Sequence, residues 1–146
     1  MIGRRQALTL AGASVLAVPA GVMPAWATPR EVAEQIAKVT GGKTPQQGQV
    51  KLDLAQMVEN GNAVGVAVSA DAPEGRKVAS LHLFAEGNPN PEVLHATFGP
   101  ASFAPKLSTR IRLATSQTVV AVAVMDDGSC WTDSVTVLVT LAACLE

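Results

Sequence analysis

The spacing of apolar residues changes from a helical period to strict alternation near residue 50, and this change constrains the fold more than any other feature. Between Val32 and Val39 the apolar residues recur three or four positions apart, as on one face of a helix. From Val50 through Leu52 and Leu54 they alternate with polar residues, as in a half-buried strand. The sequence therefore predicts one short helix followed by a β-domain.

The predicted helix has start and stop signals. Thr28 occupies the N-cap position, Pro29 is suited to the first helical position, and Glu31 is three residues after the cap, which completes a capping box. Gly41 and Gly42 follow the last apolar residue and end the helix. Residues 44–49 are polar and form a predicted connector to the strands.

Seven strands are predicted after the connector. The run Thr118–Met125 is apolar on both faces and should be central, whereas the prolines in Asn88–Pro91 lack amide donors and indicate a loop. Seven short strands predict an all-β fold, an immunoglobulin-like antiparallel β-sandwich preceded by the short α-helix. The strands are Val50–Leu54, Val64–Val68, Val78–Ala85, Leu94–Phe98, Leu107–Leu113, Thr118–Met125 and Cys130–Leu141.

The first 27 residues have the features of a twin-arginine export signal. Arg4 and Arg5 precede an uncharged apolar stretch, Ala7–Met23, and Ala25–Ala27 resembles a cleavage site. A transmembrane anchor is the alternative, but two prolines and a glycine interrupt a stretch of barely spanning length. We therefore expect a periplasmic protein with residues 28–141 as one β-sandwich domain and residues 142–146 as a C-terminal arm.

Removal of the leader leaves an acidic domain. Without Arg4 and Arg5 the chain has nine Lys and Arg against twelve Asp and Glu, a formal net charge of −3. This charge argues against nucleic-acid binding, which needs a basic surface.

The two cysteines are predicted to have different roles. In an exported protein a disulfide is the default expectation, but Cys130 and Cys144 lie at opposite ends of one predicted strand. An unbroken strand of this length would separate them by more than about 40 Å, whereas a disulfide needs α-carbons within about 7 Å. We expect Cys130 to pack as a small hydrophobe beside Trp131, and Cys144 to be a solvent-reachable thiol near the chain end.

The remaining polar residues do not assemble into a catalytic set in the sequence. His82 and His95 are single residues on predicted strands, and no His or Met follows Cys130 to complete a copper site, so no metal is predicted. Arg110 and Arg112 are two residues apart on one strand. They form either a solvated edge or a contact for an acidic partner or an anion.

Five segments together resemble one known family, the SoxY sulfur-carrier proteins of periplasmic thiosulfate oxidation. The resemblance covers nearly all of the predicted mature chain and is most specific in its second half. The segments are Leu107–Ala114, Gln117–Ala123, Asp127–Ser129, Trp131 and the loop Asn88–Pro91.

The resemblance implies a non-catalytic carrier without a bound cofactor. In that family an immunoglobulin-like sandwich pairs with a second β-sandwich protein, SoxZ, and a cysteine on a Gly-Gly-Cys-Gly-Gly arm holds sulfur intermediates. Cys144 falls where that cysteine belongs, so the resemblance makes it the site of covalent sulfur attachment. The implied enzyme partners are the haem-containing SoxAX, the SoxB hydrolase and a sulfur dehydrogenase.

The arm around Cys144 departs from the family pattern. Ala142 and Ala143 replace the preceding glycines, and Leu145 and Glu146 replace the following ones. Alanine loses the positive-φ conformations that glycine adopts, and leucine adds bulk. Two alternatives to the carrier therefore stay open: a SoxY-like paralogue that keeps the fold and the SoxZ-like partner but has lost or changed its cargo, and a purely structural β-sandwich.

Overall fold

The computed structural model describes residues 27–102 and 105–143. The predicted leader, apart from Ala27, lies outside the described residues, and so do Cys144 and the two residues after it.

The described residues form one helix and nine strands, in the order expected from the sequence. The helix is α1 (Pro29–Val39). The strands are β1 (Gln46–Gln47), β2 (Val50–Leu54), β3 (Met57–Asn60), β4 (Val64–Ala70), β5 (Val78–Ala85), β6 (Glu92–Thr97), β7 (Lys106–Ile111), β8 (Gln117–Met125) and β9 (Cys130–Leu141).

The strands form two sheets packed as a sandwich, which confirms the predicted fold class. The larger sheet has the order β1-β9-β8-β5-β6, with β3 also paired to β9, and the smaller one has the order β2-β4-β7. β8 lies between β9 and β5, as expected for a strand that is apolar on both faces. The seven predicted strands are present, and the structure adds the short strands β1 and β3, both parallel to β9.

Alternating residues of both sheets fill the space between them. On β4 the valines Val64, Val66 and Val68 are buried while Gly65 is exposed, and β8 contributes Ala121 to the same core. Complete burial of one such valine contributes about 1.5 kcal/mol or more, so the alternation fixes which face of each strand points inward. Along one side, the Leu52 amide of β2 donates to Asp133 Oδ2 of β9 at 2.9 Å and links the two sheets.

The helix covers the outer face of the larger sheet. Its predicted capping box is present, because the Glu31 amide donates to Thr28 Oγ1 and the Thr28 amide donates to Glu31 Oε2 at 2.7 Å. Val32 packs on Phe84 and Val122 of the sheet in a second, smaller apolar cluster. Within the described residues no helix has the length and apolar character that a membrane crossing requires.

The two ends of the sandwich collect different loops. At the arm end, where β9 stops, lie residues 61–63, 86–91, 112–116 and 142–143. At the far end, where β9 begins, lie residues 48–49, 71–77 and 126–129.

Candidate functional site

The C-terminal segment leaves the sandwich through a ladder of backbone hydrogen bonds at the arm end. The Gly61 amide donates to the Leu141 carbonyl at 2.8 Å, and the Leu113 amide donates to the Gly61 carbonyl at 2.8 Å. The Ala143 amide then donates to the Leu113 carbonyl at 3.1 Å, and Ala143 is itself buried. The chain is therefore anchored up to the residue that directly precedes Cys144.

The ladder requires a glycine at position 61. A β-carbon at this residue would lie 2.3 Å from the Leu113 carbonyl oxygen and 2.9 Å from the Ala143 amide nitrogen. Both are backbone atoms, so neither can turn away as a flexible side chain would. The Asn60-Gly61 sequence predicts a turn, but the contact with the C-terminal segment depends on the tertiary fold.

A buried asparagine fixes the loops around this anchor. Asn88 Nδ2 donates to the Arg112 carbonyl at 2.8 Å, while Asn88 Oδ1 accepts from the Ala114 amide at 2.9 Å and from Gln117 Nε2 at 3.0 Å. The Gln117 side-chain oxygen in turn accepts from the Gly87 amide at 2.8 Å. Because all these groups are satisfied, the network stabilises the end of β7 and the loop that carries Arg112.

The two arginines predicted as a partner or anion contact lie beside this network. Arg110 is on β7, Arg112 follows its last residue, and both are exposed. They line one cavity of about 380 Å³ together with Asn90 and Glu92. Among the described residues neither arginine has an ion-pair partner within 4.0 Å, so both guanidinium groups are available to an anion.

The two cysteines differ in what the structure describes of them. Cys130 is a free, buried thiol at the far end, and its Sγ donates to the Gly128 carbonyl at 3.4 Å. Burial is the main cause that raises the pKa of the Cys130 thiol, which favours its protonated form. The expected burial of Cys130 is confirmed. Cys144, the predicted attachment site, lies outside the described residues.

The structure brings together His82 and His95, which the sequence analysis treated as separate. The two are directly opposite each other on β5 and β6, and with Glu92 their candidate ligand atoms all lie within 4.8 Å of one another. A signal for this exists in the sequence. The two histidines are equally far from the Asn88-Pro89 loop, so a hairpin centred there pairs them.

An exposed apolar pair lies where β3 meets β9. Met57 on β3 pairs with Leu138 on β9, and the two are 67% and 51% exposed. Leu141 is 61% exposed but lies three residues beyond Leu138, so the alternation of the strand directs it to the other face. Large apolar side chains grouped on a surface are typical of protein-protein contact sites.

Comparison with known families gives one match. The family model described as "Sulfur oxidation protein SoxY" matches residues 36–144, which is most of the chain and includes Cys144. No curated protein matches the chain.

Solved structures support the fold. The sulfur carrier protein SoxY from Chlorobium limicola f thiosulfatophilum has a TM-score of 0.64 and 24% sequence identity, over 77% of this chain and 98% of that one. A variant of the superoxide reductase (neelaredoxin) from Ignicoccus hospitalis has a TM-score of 0.55 and 19% identity, over 73% of this chain and 86% of that one. At these identities the likeness establishes a shared sandwich fold and no more.

Proposed function

The chain belongs to the SoxY family of sulfur oxidation proteins, and from this membership we propose that it is a covalent sulfur carrier with Cys144 as the attachment site. In this role the protein is not an enzyme: it holds an intermediate of thiosulfate oxidation and presents it to enzymes that act on it. The twin-arginine leader in residues 1–27 supports a periplasmic location.

The observation that carries the proposal is the anchor at Ala143. The family match extends to residue 144, and the residue before it, Ala143, is held by the hydrogen bond of its amide to the Leu113 carbonyl. A carrier needs its attachment atom close to a fixed platform, so that partners can find it. Cys144 directly follows the anchored Ala143 in the sequence, which supports this role.

The proposed loading step forms one sulfur-sulfur bond and releases two electrons. The Cys144 thiolate and thiosulfate combine to give a cysteine S-thiosulfonate, and the haem centre of a SoxAX-type enzyme accepts the two electrons. Water then attacks the terminal sulfonate in a SoxB-type hydrolase, which releases sulfate and two protons and leaves a persulfide on Cys144. A sulfur dehydrogenase would oxidise the remaining sulfane sulfur.

Two surfaces are candidates for the contacts that this cycle needs. The guanidinium groups of Arg110 and Arg112, which have no ion-pair partner among the described residues, suit an anionic group or an acidic partner surface. The exposed apolar pair of Met57 and Leu138 suits a SoxZ-like subunit, because a stable partner would cover it. Sedimentation of the chain mixed with a SoxZ-like protein checks this: Leu138→Asp should abolish a heterodimer that Glu59→Gln leaves intact.

A second candidate is a SoxY-like paralogue that keeps the partner but carries a different cargo or none. The observation that favours it is also at Ala143, where the family pattern has a glycine. The Ala143 side chain is buried and its amide is hydrogen-bonded, so this part of the arm is held against the sandwich. An arm that must enter a narrow enzyme channel would have to release this residue first.

Intact-protein mass spectrometry after incubation with thiosulfate and a SoxAX-type enzyme tests the carrier proposal. We expect the mass gain of one S-thiosulfonate group in the unsubstituted chain and in Cys130→Ala, and none in Cys144→Ser. Arg110→Ala with Arg112→Ala should load more slowly than the exposed control Lys51→Ala. If a glycine-armed SoxY loads under the same conditions and this chain does not, the carrier role is wrong and the paralogue is favoured.

A further inference from the structure

A polar cluster lies on the outer face of the larger sheet, away from the arm. His82 on β5 is buried, and its ring stacks on that of His95 on β6 with centroids 4.4 Å apart. His82 Nδ1 lies 2.7 Å from Glu92 Oε1, and His82 Nε2 lies 3.0 Å from Ser80 Oγ. Two imidazoles and one carboxylate therefore converge at the β5–β6 edge, and the carrier cycle uses none of them.

The hydrogen bonds define which nitrogen of His82 faces the cluster. A neutral His82 ring with its proton on Nδ1 donates to the Glu92 carboxylate and accepts at Nε2 from the Ser80 hydroxyl. Ser80 thus orients the ring from behind, which is the arrangement that supports metal-binding histidines in proteins. Val122 of β8, on the other side of His82, is apolar and brings no competing charge.

We propose that His82, His95 and Glu92 form a binding site for a divalent transition metal ion such as Zn²⁺. Two imidazole nitrogens and one carboxylate oxygen are a donor set suited to Zn²⁺, which is generally four-coordinate and would leave one position for water or another ligand. This site is independent of the sulfur attachment at Cys144.

The observed spacing is compatible with such a site after small movements. Donor atoms bound at about 2.1 Å with tetrahedral angles are about 3.4 Å apart. His82 Nδ1 and Glu92 Oε1 start 2.7 Å apart, and the three donor atoms all lie within 4.8 Å. Of the three ligand residues, His95 and Glu92 are exposed and have room to move. The His95 ring can therefore tilt out of its stack to direct a lone pair at the ion.

The proton balance of binding follows from the hydrogen bonds. The metal replaces the hydrogen bond between Nδ1 and Glu92, and the displaced proton is retained by the ring on Nε2. Nε2 then donates to Ser80 Oγ, whose hydroxyl turns away. The charges facing the site are the Glu92 carboxylate and, across the neighbouring cavity that Glu92 also lines, Arg110 and Arg112. The positive charges of the two arginines weaken the binding of a cation by repulsion.

Titration with Zn²⁺ and with Co²⁺ tests the proposal, using untagged mature chain with Cys144→Ser so that the tail thiol cannot bind metal. We expect one ion per chain by calorimetry, and visible Co²⁺ absorption without the near-ultraviolet band of a thiolate ligand. His95→Ala and Glu92→Gln should each weaken binding at least about tenfold. Thr97→Ala and Glu59→Gln change exposed side chains outside the cluster, so both variants should bind the metal with unchanged affinity.

Binding should also weaken as the pH is lowered from 7.5 to 5, because protons compete with the metal for the imidazole lone pairs. The variants chosen change exposed residues, and circular dichroism verifies that each one is folded. Absence of 1:1 binding in the Cys144→Ser chain would overturn the proposal. Equal metal affinities of His95→Ala and Thr97→Ala would also overturn it, because the two histidines would then form only a packed pair.

Discussion

The two ends of the sandwich differ in how their polar groups are satisfied. At the arm end, buried groups bond to one another: Asn88 makes three hydrogen bonds, and Gly61 joins the backbone of Leu113 to that of the C-terminal segment. At the far end, the polar groups lie at the surface. There Asp127 accepts from the hydroxyl and the amide of Ser129, and these bonds hold the pKa of Asp127 below its usual value.

The end of the sandwich with the buried hydrogen-bond network is the one that Cys144, the proposed attachment residue, follows in the sequence. The far end also has a cysteine, but Cys130 is buried and its thiol is engaged with Gly128. Eleven residue steps of β9 separate it from Leu141, a distance of about 36 Å in an extended strand. β9 therefore begins with a packed thiol and ends three residues before the proposed attachment site.

Gly61→Ala should have the largest effect, because it adds an atom where Leu113 O and Ala143 N leave no space. We expect the free energy of unfolding to fall by about 3 kcal/mol, measured by urea denaturation. Limited proteolysis should also cleave the C-terminal residues faster. The matched control is Gly65→Ala on β4, where a β-carbon meets nothing within 4 Å, and equal losses in both variants would contradict the anchor.

Asn88→Ala should have the next largest effect, because it leaves the Arg112 carbonyl and the Ala114 amide without their partner. We expect the free energy of unfolding to fall by about 2 kcal/mol in the same urea experiment, because buried polar groups lose their hydrogen-bond partners. The exposed Asn90 in the same loop supplies the control, and Asn90→Ala should change stability by less than about 0.5 kcal/mol. Similar values for the two variants would mean that the arm end is no more tightly bonded than a surface turn.

The smallest effect concerns Cys130 and pH. Its pKa is raised in the folded state, so the unfolded chain loses its thiol proton first as the pH rises past about 8.5, and the free energy of unfolding then falls. We expect a shallow decline between pH 8 and pH 10 in urea denaturation of Cys144→Ser. Cys130→Ala in the same background should remove the part of the decline that Cys130 causes. An unchanged dependence on pH would show that burial does not suppress the ionisation of the Cys130 thiol.

Local signals were sufficient to predict most of the fold. The capping box of Thr28 and Glu31 defined the helix start, and the alternation of Val64, Val66 and Val68 predicted a strand with one buried face. Both signals come from residues that are close in the sequence, so they can be recognised without knowledge of the tertiary fold. β3 was not predicted, because four mostly exposed residues have no clear period and pair with β9 only through the fold.

The candidate sites depended on contacts that no local pattern describes. Asn88 stands in a proline-rich loop, where its burial and its bonds to residues 24 to 29 positions away have no sequence signal. His82 and His95 are equally far from the Asn88-Pro89 loop, but only the strand register of the folded hairpin shows that they pair. Cys144 was identified through its family resemblance, and its role as the attachment site stays a prediction.

The partial covering of β9 affects how the protein behaves at high concentration. A bare twelve-residue outer strand would offer its backbone to any other extended chain and so invite fibril growth. Here β1 shields residues 131–132 and β3 shields residues from 138 onward, leaving a short gap between them. The gap opens with Asp133, whose carboxylate is turned to the Leu52 amide of the same molecule. Pairing with another chain through this edge is thereby limited to residues 133–137.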